Sequence, residues 1–461
     1  MNTQHPSNHS SILPEVAALN ARGLDHQKAG RHSESIQIFT EALTLSPDSG
    51  ILHYNLANSL KALREFETAL SHYRKSLELG LKIPEVLNNL GVCLRDLKRY
   101  NEALDCFKGA VYLDPSFLLA HLNMGFLWLL MEKPSKALAP LQDALKINPH
   151  NPDAHWFLAH TFLILGDYEK GWEEYEWRWQ KVDSSVPQRV FPEPTWTGEE
   201  FKGRTLLVWC EQGFGDTLQF IRFAKPLKEM GGAVILECPE SLRGLLRRTQ
   251  GLDRVVAQGE SLPAFDLQCP LLSLPRLLGT TLKTLPAEVP YVEVDPDILT
   301  CWNMELADAK GGKVGLVWSG NIFPDHNRHR SLDPEMIRPL FQVPGVRFYS
   351  LQKGEAASEA SKMPVIDFSS RLTDFAQTAG LMKGLDLVIT IDTSVAHLAG
   401  ALGKEVWTLL PFSPDWRWFL ERADSPWYPS MRLFRQPKPG DWKSVIKQVA
   451  RELKRLFETR K

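Results

Sequence analysis

Through the first 185 residues of this 461-residue chain, side-chain type recurs in phase every 34 positions, and no other feature constrains the fold as much. Pro115 and Pro149 are 34 apart, and Pro47 and Pro115 are twice that. The same register gives Gly23, Ala57, Gly91, Gly125 and Ala159. Twelve residues on come Ser35, Ala69, Ala103, Ala137 and Gly171; four later come Phe39, Tyr73, Phe107, Leu141 and Tyr175; then Ala42, Ser76, Ala110, Ala144 and Arg178. Two antiparallel helices per repeat satisfy this pattern. Small residues stand where the helices approach closely, large side chains fill the gap, and proline ends the second helix because it cannot donate to the preceding turn.

The pattern resembles the tetratricopeptide repeat, in about five copies from residue 16 to about 181, and an α-solenoid is expected over 16–185 after a flexible stretch at 1–15. Two departures carry information. Leu81 stands where proline is expected, with Pro84 three later. Arg178 takes a small-residue position and runs into Trp177 and Trp179, as in a capping repeat that docks on something else. The resemblance implies a groove for a peptide or protein partner; a scaffold that only rigidifies or dimerises is the alternative.

Composition narrows the function classes. Lys+Arg is 53 and Asp+Glu 55, a net charge of −2, which speaks against a generally basic nucleic-acid binder. Apolar residues at 43% and charged residues at 23% belong to a globular chain. Cys93, Cys106, Cys210, Cys238, Cys269 and Cys301 form no CxxC and read as reduced thiols. The polar start shows no basic stretch leading into an apolar one, and Phe117–Met131, which contains His121 and Asn123, is too short to cross a bilayer. A cytoplasmic protein with no membrane span is expected.

After residue 185 the pattern changes. Residues 186–204, with Pro187, Pro192, Pro194, Gly198 and Gly203, read as a linker with aromatic anchors Phe191 and Trp196. Continuous apolar runs then suggest buried parallel strands at Thr205–Cys210, Ala233–Cys238, Arg254–Ala257 and Asp266–Cys269, and again at Val314–Trp318, Arg347–Leu351, Asp386–Ile391 and Glu405–Leu410. Helical stretches alternate with them, ending in Trp442–Phe457. The expected fold class is therefore α + α/β: the solenoid, then two Rossmann-like lobes at 205–300 and 301–461. Ligands in such sheets sit beyond the carboxyl ends of the strands. That rule selects the turns Gly213–Asp216, Ser319-Gly320-Asn321, Gln352-Lys353-Gly354 and the segment from Asp392.

In Asp392–Gly403 (DTSVAHLAGALG) a strand gives way to a helix that opens with hydroxylated and small residues. Free N–H groups and the helix dipole suit an anion there, and ordinary N-capping by Asp392 or Thr393 accounts for the same residues. This segment, with the Gly215-Asp216 turn of the first set, resembles the donor-site signature of bacterial heptosyltransferases, glycosyltransferase family 9. The resemblance covers about residues 200–461, and the whole layout is similar to bacterial repeat-linked glycosyltransferases and, in architecture only, to the O-linked N-acetylglucosamine transferases. It implies a GT-B pair of lobes, 205–300 on the acceptor side and 301–461 on the donor side, with the last helix packing back on the first lobe. It also implies a nucleotide-sugar donor and inverting transfer without a metal or cofactor.

The roles it implies fall on named residues. Asp216 would be the general base, with a helix N-cap as its structural alternative. Gly213 and Gly215 would let the backbone approach the acceptor or donor. Ser319, Gly320, Asn321, Arg330, Gln352, Lys353, Asp392, Thr393, Ser394 and His397 would hold the donor, Arg330 and Lys353 by charge on the diphosphate. Arg328 is a further cation nearby, and His397 could equally be a core histidine. His326 and His329 make an HxxH that no Cys or carboxylate cluster completes, so no metal site is expected. Pro411–Trp418 could wall a pocket or simply pack as a loop. The partners expected are a nucleotide sugar, a protein or glycan acceptor and a peptide or protein in the repeat groove, with no nucleic acid. Two alternatives stand beside transfer to a protein: a non-catalytic scaffold with a degenerate transferase-like region, and heptose transfer to a lipopolysaccharide-type glycan.

Overall fold

A computed structural model of the chain describes residues 14–181, 189–320 and 330–459. These fall into two compact units, residues 1–158 and 159–461.

The first unit is helical. Four antiparallel pairs run Pro14–Lys28 and His32–Leu45, Gly50–Ala62 and Phe66–Glu78, Pro84–Asp96 and Tyr100–Leu113, Leu118–Leu130 and Pro134–Ile147. The first helix includes Pro14 and Glu15, which are expected in a flexible stretch at 1–15; residues 1–13 of that stretch lie outside the described residues, and proline suits the first helical turn, where its missing N–H is not needed. Each recurrent position has its physical counterpart. A Cβ added to Gly23, Gly91 or Gly125 would run into Phe39, Phe107 or Leu141, the large residue sixteen positions later. Ser35, Ala69, Ala103 and Ala137 are fully buried, as are Ala42, Ser76, Ala110 and Ala144. His53, His121 and His155 each pair through Nε2 with the carbonyl of the proline six residues before, Pro47, Pro115 and Pro149, at 3.0 Å. The repeat that has Leu81 in place of proline has Leu87 in place of the histidine.

The helix Pro152–Leu165 crosses from the first unit into the second, and Tyr168–Tyr175 follows, with a 3-10 turn at Glu176–Gln180. The rest of the second unit is built on two parallel sheets. The first has β1 (Thr205–Trp209), β2 (Ala233–Cys238), β3 (Arg254–Ala257) and β4 (Leu267–Pro270) in the order β3-β2-β1-β4. The second has β5 (Gly312–Val317), β6 (Val346–Ser350), β7 (Val365–Asp367), β8 (Leu387–Ile391), β9 (Val406–Leu410) and β10 (Met431–Arg435) in the order β10-β9-β8-β5-β6-β7. In each sheet the order reverses beside the first strand, between β1 and β4 and between β5 and β8.

The linker extends the first sheet: Trp196 N–H donates to the Gln268 carbonyl at 2.8 Å beside β4, and the Trp196 side chain is fully buried. Two expectations about the lobes are corrected. The boundary at 300/301 falls inside the helix Pro296–Leu306, whose Ile298, Trp302 and Leu306 pack on Gly380 and Gly384 near the end of the helix Phe375–Lys383, so this segment belongs with the second sheet. Among the described residues the final helix, Trp442–Glu458, packs its apolar face on the second sheet rather than on the first lobe. Its buried face, Trp442, Val445, Ile446, Val449, Leu453 and Phe457, shares a core with Val314, Phe348, Leu387 and Trp407 of the second sheet, which absorbs its apolar stripe. Among the described residues no helix is long and apolar enough to cross a membrane.

Candidate functional site

The reversal points of the two sheets face each other. After β1 the chain turns through Glu211–Gly213 into the helix Phe214–Phe220. After β8 it turns through Asp392 and Thr393 into the helix Ser394–Ala401, where Thr393 caps the start by accepting from Val395 N–H at 3.3 Å. The two helix starts touch at Gly215. A Cβ there would lie 2.9 Å from His397 Cδ2 and 3.6 Å from Ser394 Cα, so this contact requires glycine. At Gly213 the nearest group to an added Cβ is Asp216 Oδ2, at 3.4 Å. The two glycines therefore serve differently, one as a point of approach and one as a turn.

Asp216 is held on both oxygens. Oδ2 accepts from Gly213 N–H at 3.1 Å, the reach-back half of a capping box, and Oδ1 accepts from Arg417 Nη2 at 2.5 Å. The capping reading of this residue is thus realised, together with an ion pair that the sequence did not suggest. Burial pushes the Asp216 carboxyl up, and the Arg417 charge and the Gly213 N–H oppose that shift. Arg417 also donates to Gln219 Oε1 and Asp415 Oδ1 and stacks on the Trp416 ring at 4.3 Å.

At the second reversal point Arg330 Nη1 donates to the Asp392 carbonyl at 3.1 Å, bridging the crevice between the ends of β5 and β8. Gly320 N–H donates to Ser331 Oγ at 3.2 Å, and Ser319 Oγ lies 3.4 Å from that hydroxyl. Burial and the like charge of Asp415 raise the Asp392 carboxyl, against Arg330. Ser394 is half-buried at the helix start. Asn321, Arg328, His326 and His329 lie outside the described residues.

Three candidates have their side chains engaged elsewhere. Gln352 staples its own turn: Oε1 accepts from Trp318 and Ser319 N–H at 3.1 and 2.9 Å, and Nε2 donates to the Ser319 and Lys353 carbonyls. Lys353 is exposed and donates to the Ser369 carbonyl at 2.7 Å, beyond β7. His397 is buried, with Nδ1 2.8 Å from Tyr428 Oη and its ring stacked on Trp418 at 5.2 Å. Burial, with the Arg417 charge adding, pushes the imidazole down to about 3, so it is neutral at physiological pH.

Sequence reasoning took Asp415 and Arg417 only as part of Pro411–Trp418, a pocket wall or packed loop, and gave neither a role; it missed Gln219 and Tyr428. The available signal was the aromatic density of Pro411–Trp418, which encloses a charged Arg between two Trp residues. Among the described residues no group of three or more His, Cys, Asp or Glu is arranged to hold a metal ion.

A tetratricopeptide-repeat solenoid followed by two parallel sheets is the class that this fold defines. Family models described as tetratricopeptide repeat match residues 20–80 and 84–117. Protein FlbA of Caulobacter vibrioides is 26% identical over 500 aligned residues, covering 93% of this chain and 82% of that one. The type IV pilus assembly protein PilF of Pseudomonas aeruginosa is 30% identical over 158 residues, covering 33% of this chain and 62% of that one. The BBSome complex member BBS4 of Bos taurus is 29% identical over 34% of this chain and 30% of its own length. Among solved structures, PilF of Pseudomonas aeruginosa is similar over 38% of this chain and 78% of that one, with 26% identity and a TM-score of 0.34. The resemblance to FlbA thus extends through the repeats and the sheets; the resemblances to PilF and BBS4 cover about a third of the chain.

Proposed function

We propose that the chain is a glycosyltransferase of GT-B type that takes a nucleotide-sugar donor at the β5/β8 crevice, with its repeats recruiting a protein acceptor. The observation that carries this reading is the approach of the two reversal points, where Gly215 lies against Ser394 and His397 with Asp216 one residue away. A donor diphosphate would lie near Arg330 and the start of the Ser394–Ala401 helix, where a guanidinium and the positive end of the helix dipole suit it. Asp216 would take the proton of the acceptor hydroxyl as its oxygen bonds to the anomeric carbon, while the bond from that carbon to the diphosphate breaks. A carboxylate has about four lone-pair sites, so contacts with Arg417 and Gly213 leave room for that hydroxyl.

The test is release of nucleoside diphosphate from nucleotide sugars by the full chain, wild type against Asp216→Asn. Loss of about two orders of magnitude in turnover is expected when a general base is removed. Equal turnover by both proteins contradicts the assignment of the base.

A second reading has its own support. Asp216 is paired with Arg417, His397 with Tyr428, Gln352 with its own turn and Lys353 with Ser369, so these side chains are satisfied within the chain. A protein-interaction scaffold that binds no nucleotide is consistent with that, and absence of both turnover and nucleotide binding would favour it.

A further inference from the structure

Arg178 stands at a register position that is Ala42, Ser76, Ala110 and Ala144 in the other four repeats. Like them it is buried, with 1% of its surface exposed. Its guanidinium, however, reaches out of the repeat. Nε and Nη2 donate to Glu211 Oε1 at 2.9 and 2.7 Å, Nη2 donates to Ser273 Oγ at 2.9 Å, and Nη1 donates to Glu176 Oε1 at 2.8 Å. Three residues earlier, Tyr175 donates its hydroxyl to Gln212 Oε1 at 3.2 Å. Glu211 and Gln212 immediately precede Gly213, whose N–H holds Asp216.

The same helix also reaches the other group that holds Asp216. Arg417 rests on Trp416, and Trp416 packs edge-on against Trp172 and Tyr168 at 5.3 and 6.3 Å. Trp172 Nε1 donates to the Thr280 carbonyl at 3.2 Å, which ties this helix to the first lobe as well. Both supports of Asp216, the Gly213 turn and the Arg417 guanidinium, are therefore backed by one short helix and the turn after it.

We propose that the second helix of the fifth repeat is a built part of the site, with Tyr175 and Arg178 as positioning residues that fix the turn from Glu211 to Gly213 and, through it, the helix start that carries Asp216. A turn that runs through Gly213 has conformational freedom to lose, and anchoring the two residues before it lowers that cost. Glu211 is buried, and Arg178 is its hydrogen-bonding side-chain partner among the described residues, so a small residue at 178 would restore the repeat pattern but strand a buried acid. The consequence for transfer rests on the reading of Asp216 as the base; the anchoring does not.

The experiment uses the full chain and three variants: Tyr175→Phe, Arg178→Lys, and Arg178→Met combined with Glu211→Gln, which removes both charges together. Amide hydrogen exchange is followed by mass spectrometry without ligand, alongside turnover of nucleotide sugars. The proposal expects exchange over residues 211–217 to quicken by about tenfold while β1 and β2 stay protected. It also expects kcat to fall by about tenfold with an unchanged KM for the donor. Wild-type protection over 211–217 in all three variants, or exchange that quickens equally across β1 and β2, overturns it. If the wild type turns over no nucleotide sugar, the catalytic reading of Asp216 fails and the exchange result alone decides the anchoring.

Discussion

Arg417 and Asp216 are 201 residues apart in sequence and 2.5 Å apart in space, and their ion pair joins the loop after β9 to the loop after β1. The arginine's other bonds, to Gln219 and Asp415, make it the hub of the junction between the two sheets.

Removing that hub strands two carboxylates. Arg417→Ala is expected to cost about 3–5 kcal/mol in urea denaturation at pH 7, the usual result of breaking one side of a buried pair. The Asp216 carboxyl is already raised by burial, and loss of the guanidinium raises it further. Protonation of the stranded acid relieves the cost, so the loss relative to wild type shrinks as pH falls toward 4. Asp216→Asn in the Arg417→Ala background recovers part of it at pH 7. A loss that does not change with pH would show that the pair contributes by packing rather than by charge.

His397 gives a second pH signature. Its folded value of about 3 lies below the ordinary 6.5, so between these limits the unfolded chain binds a proton that the folded chain does not. Stability therefore falls as pH drops through this window, by about 1.4 kcal/mol per pH unit at the steepest. The raised Asp392 carboxyl acts in the opposite direction but is present in wild type and variant alike. His397→Gln should flatten the profile by one proton between pH 6 and 4. Parallel profiles for the two proteins would contradict burial of a neutral imidazole.

The two glycines of the first turn are separable. Gly215→Ala places a methyl 2.9 Å from the His397 ring and is expected to cost about 1–3 kcal/mol. Gly213→Ala meets nothing closer than 3.4 Å at a φ of −69°, so thermal denaturation should show a change under about 1 kcal/mol. Equal losses at both positions would mean that the sheets do not meet at Gly215.

These contrasts mark what the sequence could disclose. The repeats were legible because a helix pair imposes the same spacing on every copy, and Gly23–Phe39, Gly91–Phe107 and Gly125–Leu141 are the same contact three times. Most strands were legible to within a residue because parallel strands buried on both faces are continuous apolar runs. β7 was missed because three residues, two of them exposed, make no buried run, and β10 because Arg432 and Arg435 interrupt its apolar positions. The proximity of Asp216 to the Asp392–His397 segment followed from strand-end reasoning. Its partner Arg417 did not, since no spacing or motif links loops two hundred residues apart. For Gln352 and Lys353 the residue type was right for binding, but the sequence carries no sign that a side chain is already bonded within its own fold.

Calorimetric titration of the full chain with UDP, ADP and GDP and their sugar-linked forms tests the central claim most directly. The account predicts that one nucleotide class binds, that Arg330→Ala weakens binding by about tenfold or more, the equivalent of about 1.4 kcal/mol, and that Lys353→Ala changes it little because that ammonium serves Ser369. Heat with none of these nucleotides, or binding that survives Arg330→Ala unchanged, would contradict a donor site at the β5/β8 crevice.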